Sequence, residues 1–279
     1  MDIKMIYFSM TGNTYKVAEA MAQAFQDQGH STRIIPMSSA AQQDATGCDL
    51  LGVGTFCLAS RAPSPFREFL RGLPALDGKP SFVFATSAES PGRVLYDQTY
   101  LLRRKGADVV GGFRCRGQYN FAVPAAYGRY PGRPDEHDLA LARGFANALA
   151  EHVAEGKPGS LPESKRDALR PGWSFYDLLG LAASDPVIRL MVPKLKMIAA
   201  HCDQCGLCVT ACPASNISLA PGPVIHKQCI RCYRCLSVCP KDVYRIPAEF
   251  LASCGHLVLY NRFMGRWLGD LDRGERVCR

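Results

Sequence analysis

Eight of the thirteen cysteines in this 279-residue chain fall into one pattern written twice. Residues 202–213 read CDQCGLCVTACP and residues 229–240 read CIRCYRCLSVCP. Cys202, Cys205, Cys208 and Cys212 lead into Pro213; Cys229, Cys232, Cys235 and Cys239 lead into Pro240. The spacing C-x2-C-x2-C-x3-C-P lets three thiolates of a tight loop wrap one cubane iron–sulfur cluster while the fourth reaches a second cluster. The expected ligand sets are Cys202, Cys205, Cys208 and Cys239 for one [4Fe-4S] cluster, and Cys229, Cys232, Cys235 and Cys212 for the other. Zinc knuckles need four ligands per site and do not call for this doubled order with its two prolines. A disulfide framework belongs to secreted chains, and nothing here marks one.

A second stretch with chemistry in it is Ser9-Met10-Thr11-Gly12-Asn13-Thr14. It follows the apolar run IKMIYF (3–8) and precedes YKVAEAMAQAFQDQG (15–29), whose apolar residues recur with a helical period. A strand, a hydroxyl-rich loop and a helix in that order make an anion site from backbone N–H groups and the positive helix end. Ser9, Thr11 and Thr14 add hydroxyl donors, and Gly12 lets the backbone approach closely. The loop has no lysine and no G-x-x-x-x-G-K, which argues against a nucleotide triphosphatase. It is not G-x-G-x-x-G, which disfavours a nicotinamide cofactor.

The elements that must position these residues follow from period and punctuation. Strand-like runs at 3–8, 31–35, 49–54, 81–86 and 108–113 alternate with helical stretches near 65–71, 94–105 and 137–154. Five strands alternating with helices give an α/β fold, a doubly wound five-stranded parallel sheet. Two domains are the natural division of 279 residues. Residues 156–200 open with a polar Gly/Pro stretch that reads as a linker and continue into one or two short helices interrupted by Pro186 and Pro193.

The loop SMTGNT resembles the phosphate-binding loop of flavodoxins, T/S-x-T-G-x-T, which holds the FMN phosphate without a cationic side chain. The resemblance implies strand order 2-1-3-4-5 and ligand loops at the carboxyl ends of strands 1, 3 and 4. After strand 3 stand Thr55, Phe56 and Cys57; a flavodoxin covers one flavin face here, often with an aromatic, so Phe56 is the candidate cover, with core packing as its other role. Cys57 either borders the ring or is a small buried hydrophobe. After strand 4 stand Thr86, Ser87, Ala88, Glu89 and Gly92; flavodoxins often place a second aromatic in this loop, and this sequence has none. Tyr119 and Asn120, after strand 5, are the candidates to supply that cover.

Residues 199–247 resemble the bacterial-type dicluster ferredoxins, which implies a small α+β domain of two hairpins and two short helices with pseudo-twofold symmetry. So small a core needs its clusters as staples. Together the two resemblances identify the chain as similar to a family of fused flavodoxin/ferredoxin proteins. They imply FMN, two [4Fe-4S] clusters and electron transfer, with domains at 1–155 and 199–247, joining helices over 156–198 and a helical extension over 248–279. In that extension Arg262, Phe263, Arg266 and Trp267 either pack back on the protein or dock a partner, and Cys254 and Cys278 lack partners at metal spacing.

Charge is uneven. Residues 1–155 carry 16 Lys and Arg against 15 Asp and Glu, net +1; residues 156–279 carry 17 against 10, net +7. Two oxidised clusters with their thiolates bring about −4, so much of the basic excess neutralises clusters. Lys227, Arg231, Arg234 and Lys241 are placed to do so. The residue of positive field suggests a redox partner with an acidic docking face. No aromatic-interleaved basic stripe supports nucleic-acid binding. The opening MDIKMIYF reads as a strand rather than a leader, and no run approaches about 18 apolar residues, so a cytoplasmic protein without a transmembrane segment is expected. Basic residues flanking the apolar stretch over 173–200 leave peripheral membrane contact as a minor alternative. The leading expectation is an electron carrier that serves a partner enzyme. Its rival is a flavin-dependent reductase in which Cys57, Glu89 or Tyr119 supplies a proton to a small molecule over the ring.

Overall fold

The computed structural model describes residues 1–88, 91–119, 130–156, 159, 161 and 175–248. These group into two compact units, one from residues 1–118 and 130–181, the other from residues 182–248 with Tyr119.

The first unit is a five-stranded, all-parallel sheet. Strands β1 (Asp2–Phe8), β2 (Ser31–Pro36), β3 (Leu50–Phe56), β4 (Pro80–Ser87) and β5 (Asp108–Arg116) lie in the order β2-β1-β3-β4-β5. That is the expected doubly wound order, with its switch point between β1 and β3. β3 is buried over Leu50–Thr55 because helices cover both faces of the sheet. Helices α1 (Asn13–Asp27) and α5 (Glu136–Ala154) cover one face through Val17, Met21, Phe25, Ala142, Ala146 and Leu149. Helices α2 (Gln42–Thr46), α3 (Ser64–Gly72) and α4 (Val94–Arg104) lie on the other, where Phe66, Leu70 and Leu102 are fully buried. The short α2 and the 3-10 turn at Met37–Ser39 were not legible in the sequence, because MSSAAQQDAT has no apolar period.

Local packing and capping fit the strands and helices of this unit together. Gly52 and Gly54 of β3 sit opposite Phe82 and Phe84 of β4. A Cβ at Gly54 would lie 2.1 Å from the Phe84 ring, so the glycines make room for two stacked rings with centroids 6.1 Å apart. At the far edge α5 starts in a capping box: the Asp138 N–H donates to Asp135 Oδ1 and the Asp135 N–H to Asp138 Oδ2, each at 3.0 Å. Helix α6 (Phe175–Ala182) closes the unit, its Gly180 buried against Ser60 and Arg93.

The second unit has little regular structure. Helix α7 (Asp185–Met191) takes Pro186 in its first turn, where a missing N–H is harmless. Strand β6 (Lys196–Met197) pairs antiparallel with β9 (Tyr244–Arg245), and β7 (Ile217–Ser218) with β8 (Val224–Ile225). Helices α8 (Leu207–Thr210) and α9 (Arg234–Val238) each carry the third cysteine of one run. The core is Leu195, Ile217, Tyr233, Val243 and Tyr244 with Cys208 and Cys235. The α+β character, with small antiparallel strand pairs and short helices, matches the expectation; of the two pairs only β7–β8 is a hairpin, since β6 and β9 come from opposite ends of the unit. Among the described residues no helix is long and apolar enough to cross a membrane. The candidate docking residues Arg262, Phe263, Arg266 and Trp267, with Cys254 and Cys278, lie outside the described residues.

Candidate cofactor sites: a sheet edge and two cysteine sets

Cys212, Cys229, Cys232 and Cys235 line one cavity, together with apolar side chains such as Ile217 and Ile230 and with Asn216, Arg231 and Arg234. This brings the fourth cysteine of the first run to the first three of the second. Burial pushes the thiols of Cys232 and Cys235 up to about 12, and neighbouring cysteine sulfurs push the same way. Four thiolates cannot be buried side by side without a compensating cationic core. Among the described residues no three His, Cys, Asp or Glu side chains close in as the ligands of a single ion would. A cubane places each thiolate on a separate iron, and four cysteines lining one cavity are the donor set it asks for. Two backbone N–H groups point at the sulfurs: Asn216 at Cys212 Sγ (3.3 Å) and Arg231 at Cys229 Sγ (3.4 Å).

The other set is tied together less closely. Cys208 and Cys239 both lie within electrostatic reach of Tyr244, as does Cys235. Tyr244 is buried, its Oη has no hydrogen bond of ordinary geometry, and burial and then Cys208 raise its pKa. Cys202 packs on the same core, while Cys205 is exposed. The Cys205 N–H donates to Asp203 Oδ1 at 3.2 Å, the leading cause of a lowered Asp203 pKa.

Two residues of this unit, Asn216 and Tyr244, were missed at the level of sequence. Asn216 is buried; its Nδ2 donates to His226 O (2.8 Å) and its Oδ1 accepts from the Gln228 N–H (3.1 Å), which clamps the β7–β8 hairpin to the second cysteine run. A buried asparagine beside C-P was the available signal. Tyr244 carried no signal, since its burial depends on pairing β9 with β6. Arg231 was noted for its charge alone.

At the carboxyl edge of the sheet, helix α1 starts at Gly12 with φ 92° and no side-chain cap. The first N–H groups of a helix have no intrahelical partner, so this end is left to an anion or to water. A Cβ at Gly12 would meet nothing within 4 Å, so a cradle of free space lies over the loop. The Gly12 N–H donates to Ser9 Oγ at 3.1 Å, which fixes the turn through Met10 and Thr11. That geometry fits a phosphate.

The surrounding loops are laced to this one. Thr14 is fully buried, its Oγ1 2.9 Å from Thr86 Oγ1, so its hydroxyl ties α1 to the end of β4. Asn13 Nδ2 donates to Gln118 O (3.1 Å) and reaches the end of β5. The Cys57 N–H donates to Thr86 O (2.8 Å), the Gly117 N–H to Ser87 O (3.0 Å) and Arg116 to Ala88 O (2.9 Å). Thr55 is buried. Arg61 grips Asp97 through two bonds of 3.0 Å, which pins the loop after β3 to α4. Gly92, at φ 49°, lies so close to Ser60 that any side chain would collide.

Two candidates have protein partners of their own. Phe56 is half-buried and packs on Phe8, ring centroids 5.2 Å apart, at the margin of the core. Cys57 as a residue is half-buried, but its sulfur is enclosed: Sγ donates to Pro91 O at 3.4 Å, and burial pushes the thiol up to about 12. Tyr119 is half-buried and groups with the second unit. Glu89 and Asn120 lie outside the described residues.

A family model of flavodoxin domains matches residues 4–152, and one of 4Fe-4S dicluster domains matches residues 194–245. No curated protein matches the chain. Solved structures similar to it include a flavodoxin from the domain Archaea, 20% identical over 55% of this chain and 99% of that one, TM-score 0.47. A flavodoxin of Streptococcus pneumoniae TIGR4 is 22% identical over 55% and 100%, TM-score 0.43. The flavodiiron protein of Giardia intestinalis is 21% identical over 55% and 36%, TM-score 0.43. With the sheet order β2-β1-β3-β4-β5 and the doubled cysteine run, the chain belongs to the flavodoxin-domain family and carries a 4Fe-4S dicluster domain behind it, an electron-transfer protein of the fused flavodoxin/ferredoxin kind.

Proposed function

We propose that the chain holds FMN at the edge of its parallel sheet and one [4Fe-4S] cluster in each cysteine set, and passes electrons between them and a partner redox enzyme. The convergence of Cys212, Cys229, Cys232 and Cys235 on one cavity carries this reading, because it joins cysteines from both runs. FMN exchanges electrons in pairs or singly, and each cluster exchanges them singly. Ser9–Thr14 hold the phosphate by backbone N–H groups and hydroxyls. Thr55, Thr86, Ser87, Ala88 and Gly92 border the ring, in loops held still by the hydrogen bonds among them. Asn216 and the N–H groups at Cys212 and Cys229 orient the sulfurs of one set. We place the flavin half at 1–155 and the cluster half at 199–247.

An anaerobic absorption spectrum tests this. A structured flavin band over a broad shoulder, both bleaching as dithionite is added in steps, is the expected result. A shoulder without a flavin band, even after FMN is added, removes the flavin from the reading; a flavin band alone removes the clusters.

The acidic face of the partner is supported by a cavity of about 450 Å3 between α3 and α4, lined by Arg61, Arg67, Arg71, Arg104 and Lys105 against the single carboxylate of Asp97. Five of the 16 cations of a nearly neutral half meet there. Charge so segregated steers a negative partner. A glutamate-rich peptide is expected to bind this protein at low salt and to weaken about tenfold near 0.2 M salt, where the Debye length falls below ~8 Å. The double variant Arg67→Glu/Arg71→Glu is expected to lose the binding at low salt. Equal binding by both proteins, measured by titration calorimetry, contradicts it.

A further inference from the structure

The two cysteine runs are copies of one loop, and they differ in charge at three matched places: Asp203 against Ile230, Gln204 against Arg231 and Leu207 against Arg234. Gln204 in CDQC corresponds to Arg231 in CIRC. Both take the same left-handed backbone, φ 58° and 59°. Gln204 is neutral and exposed, whereas Arg231 is only 7% exposed. The preceding residue inverts the contrast: Asp203 is an exposed carboxylate, and Ile230 is buried.

Arg231 lines the cavity with Cys212, Cys229, Cys232 and Cys235. Its Nε is buried with no hydrogen-bond partner, and no carboxylate pairs with its guanidinium among the described residues. A left-handed backbone favours glycine or asparagine, so a long charged residue gains nothing locally there. A cation buried without a counter-charge is strongly unfavourable. The missing counter-charge has one source at hand, the thiolates of the cavity. Lys227 and Lys241 are exposed, so water and salt screen them; Arg234 also lines the cavity but is half-buried, and of the four cations near the second run Arg231 alone is buried.

We propose that Arg231 sets the redox order of the two clusters, making the one on Cys212, Cys229, Cys232 and Cys235 the more easily reduced and therefore the place where a single electron rests. The inference depends on the reading that both cysteine sets hold clusters. Four thiolates on an oxidised core leave a net charge of about −2, and reduction adds one electron more. Burial alone opposes that added charge. The same low dielectric strengthens the field of a guanidinium that nothing else neutralises. The other cluster has the exposed Asp203, 3.9 Å from Lys241, beside Cys205, and among the described residues no buried cation accompanies its cysteines, so nothing comparable favours its reduction.

The test is a potentiometric titration of the full-length protein followed by electron paramagnetic resonance. Two reduction waves are expected. The wave that Cys235→Ser shifts or abolishes marks the cluster in question, and it is expected at the higher potential. Arg231→Gln is expected to move that wave against reduction by about tenfold, ~59 mV for one electron, and to leave the other nearly in place. Arg231→Lys is expected to keep it. A marked wave at the lower potential overturns the proposal, as does an Arg231→Gln titration that moves neither wave or both equally. If Arg231→Gln takes up no iron, Arg231→Lys decides: a wild-type wave supports the proposal and a tenfold drop overturns it. A wild-type chain without iron ends the cluster reading itself, and this inference with it, which iron analysis separates from the other outcomes.

Discussion

Replacing Cys232 by alanine is expected to cut the iron content by about half or more, from about eight atoms per chain, and to unfold the unit formed by residues 182–248. The named strands of that unit pair over only two residues each, and its core holds five apolar or aromatic side chains besides its cysteines. Apolar burial on that scale does not offset the entropy of ordering such a chain, and structural metal binding contributes on the order of 10 kcal/mol where it doubles as folding energy. Cys232 is buried beside Cys229 and Cys212, so its loss removes a ligand from the middle of the set. Limited proteolysis is the measurement. The variant is expected to be cut within 182–248 while 1–156 survives, because the sheet keeps its own two cores. A variant that retains full iron and full resistance would show that the unit folds without that cluster.

A comparable loss is expected at the other site. Gly12→Val places a branched side chain in the left-handed conformation that starts α1, and fills the free space over the loop. The backbone penalty is about 1–2 kcal/mol. The lost approach of phosphate to backbone N–H groups removes at least two charge-assisted hydrogen bonds, so FMN affinity is expected to fall about 100-fold. Gly29 is the internal control. It lies just past the other end of the same helix at φ 82°, again with nothing within 4 Å of a Cβ. Gly29→Val is expected to show the same loss in urea denaturation and unchanged FMN affinity, measured by quenching of flavin fluorescence. Equal affinity in both variants would place the phosphate elsewhere.

Cys232 and Gly12 are both legible in the amino-acid sequence alone, and the reason is the same in each case. The cysteine runs and SMTGNT are local: spacing along a few residues of chain dictates what their side chains can surround. The alternation of strands and helices is legible for a related reason, since burial on both faces makes strands continuous in apolar residues and burial on one face gives helices a period of 3.6. The boundaries observed for β1, β2, β4 and α5 fall within a residue or two of those read from that pattern.

Tertiary structure alone decided what depends on partners far away in sequence. Period marks a side chain as inward, and it does not name its neighbour. Phe56 has the position of a flavin cover, and only the fold shows Phe8, 48 residues earlier, against its ring and Phe56 half-buried at the margin of the core. The Thr14 hydroxyl looks free in SMTGNT until β4 brings Thr86 to it. Arg61, Arg67, Arg71, Arg104 and Lys105 are ordinary helix and loop cations until α3 and α4 lie side by side and gather them around one cavity. Composition set the sign of the charge beside the second cysteine run; only the packed structure separated the exposed Lys227 and Lys241 from the enclosed Arg231, because the strength of a charge depends on the dielectric around it, and burial is a property of the fold.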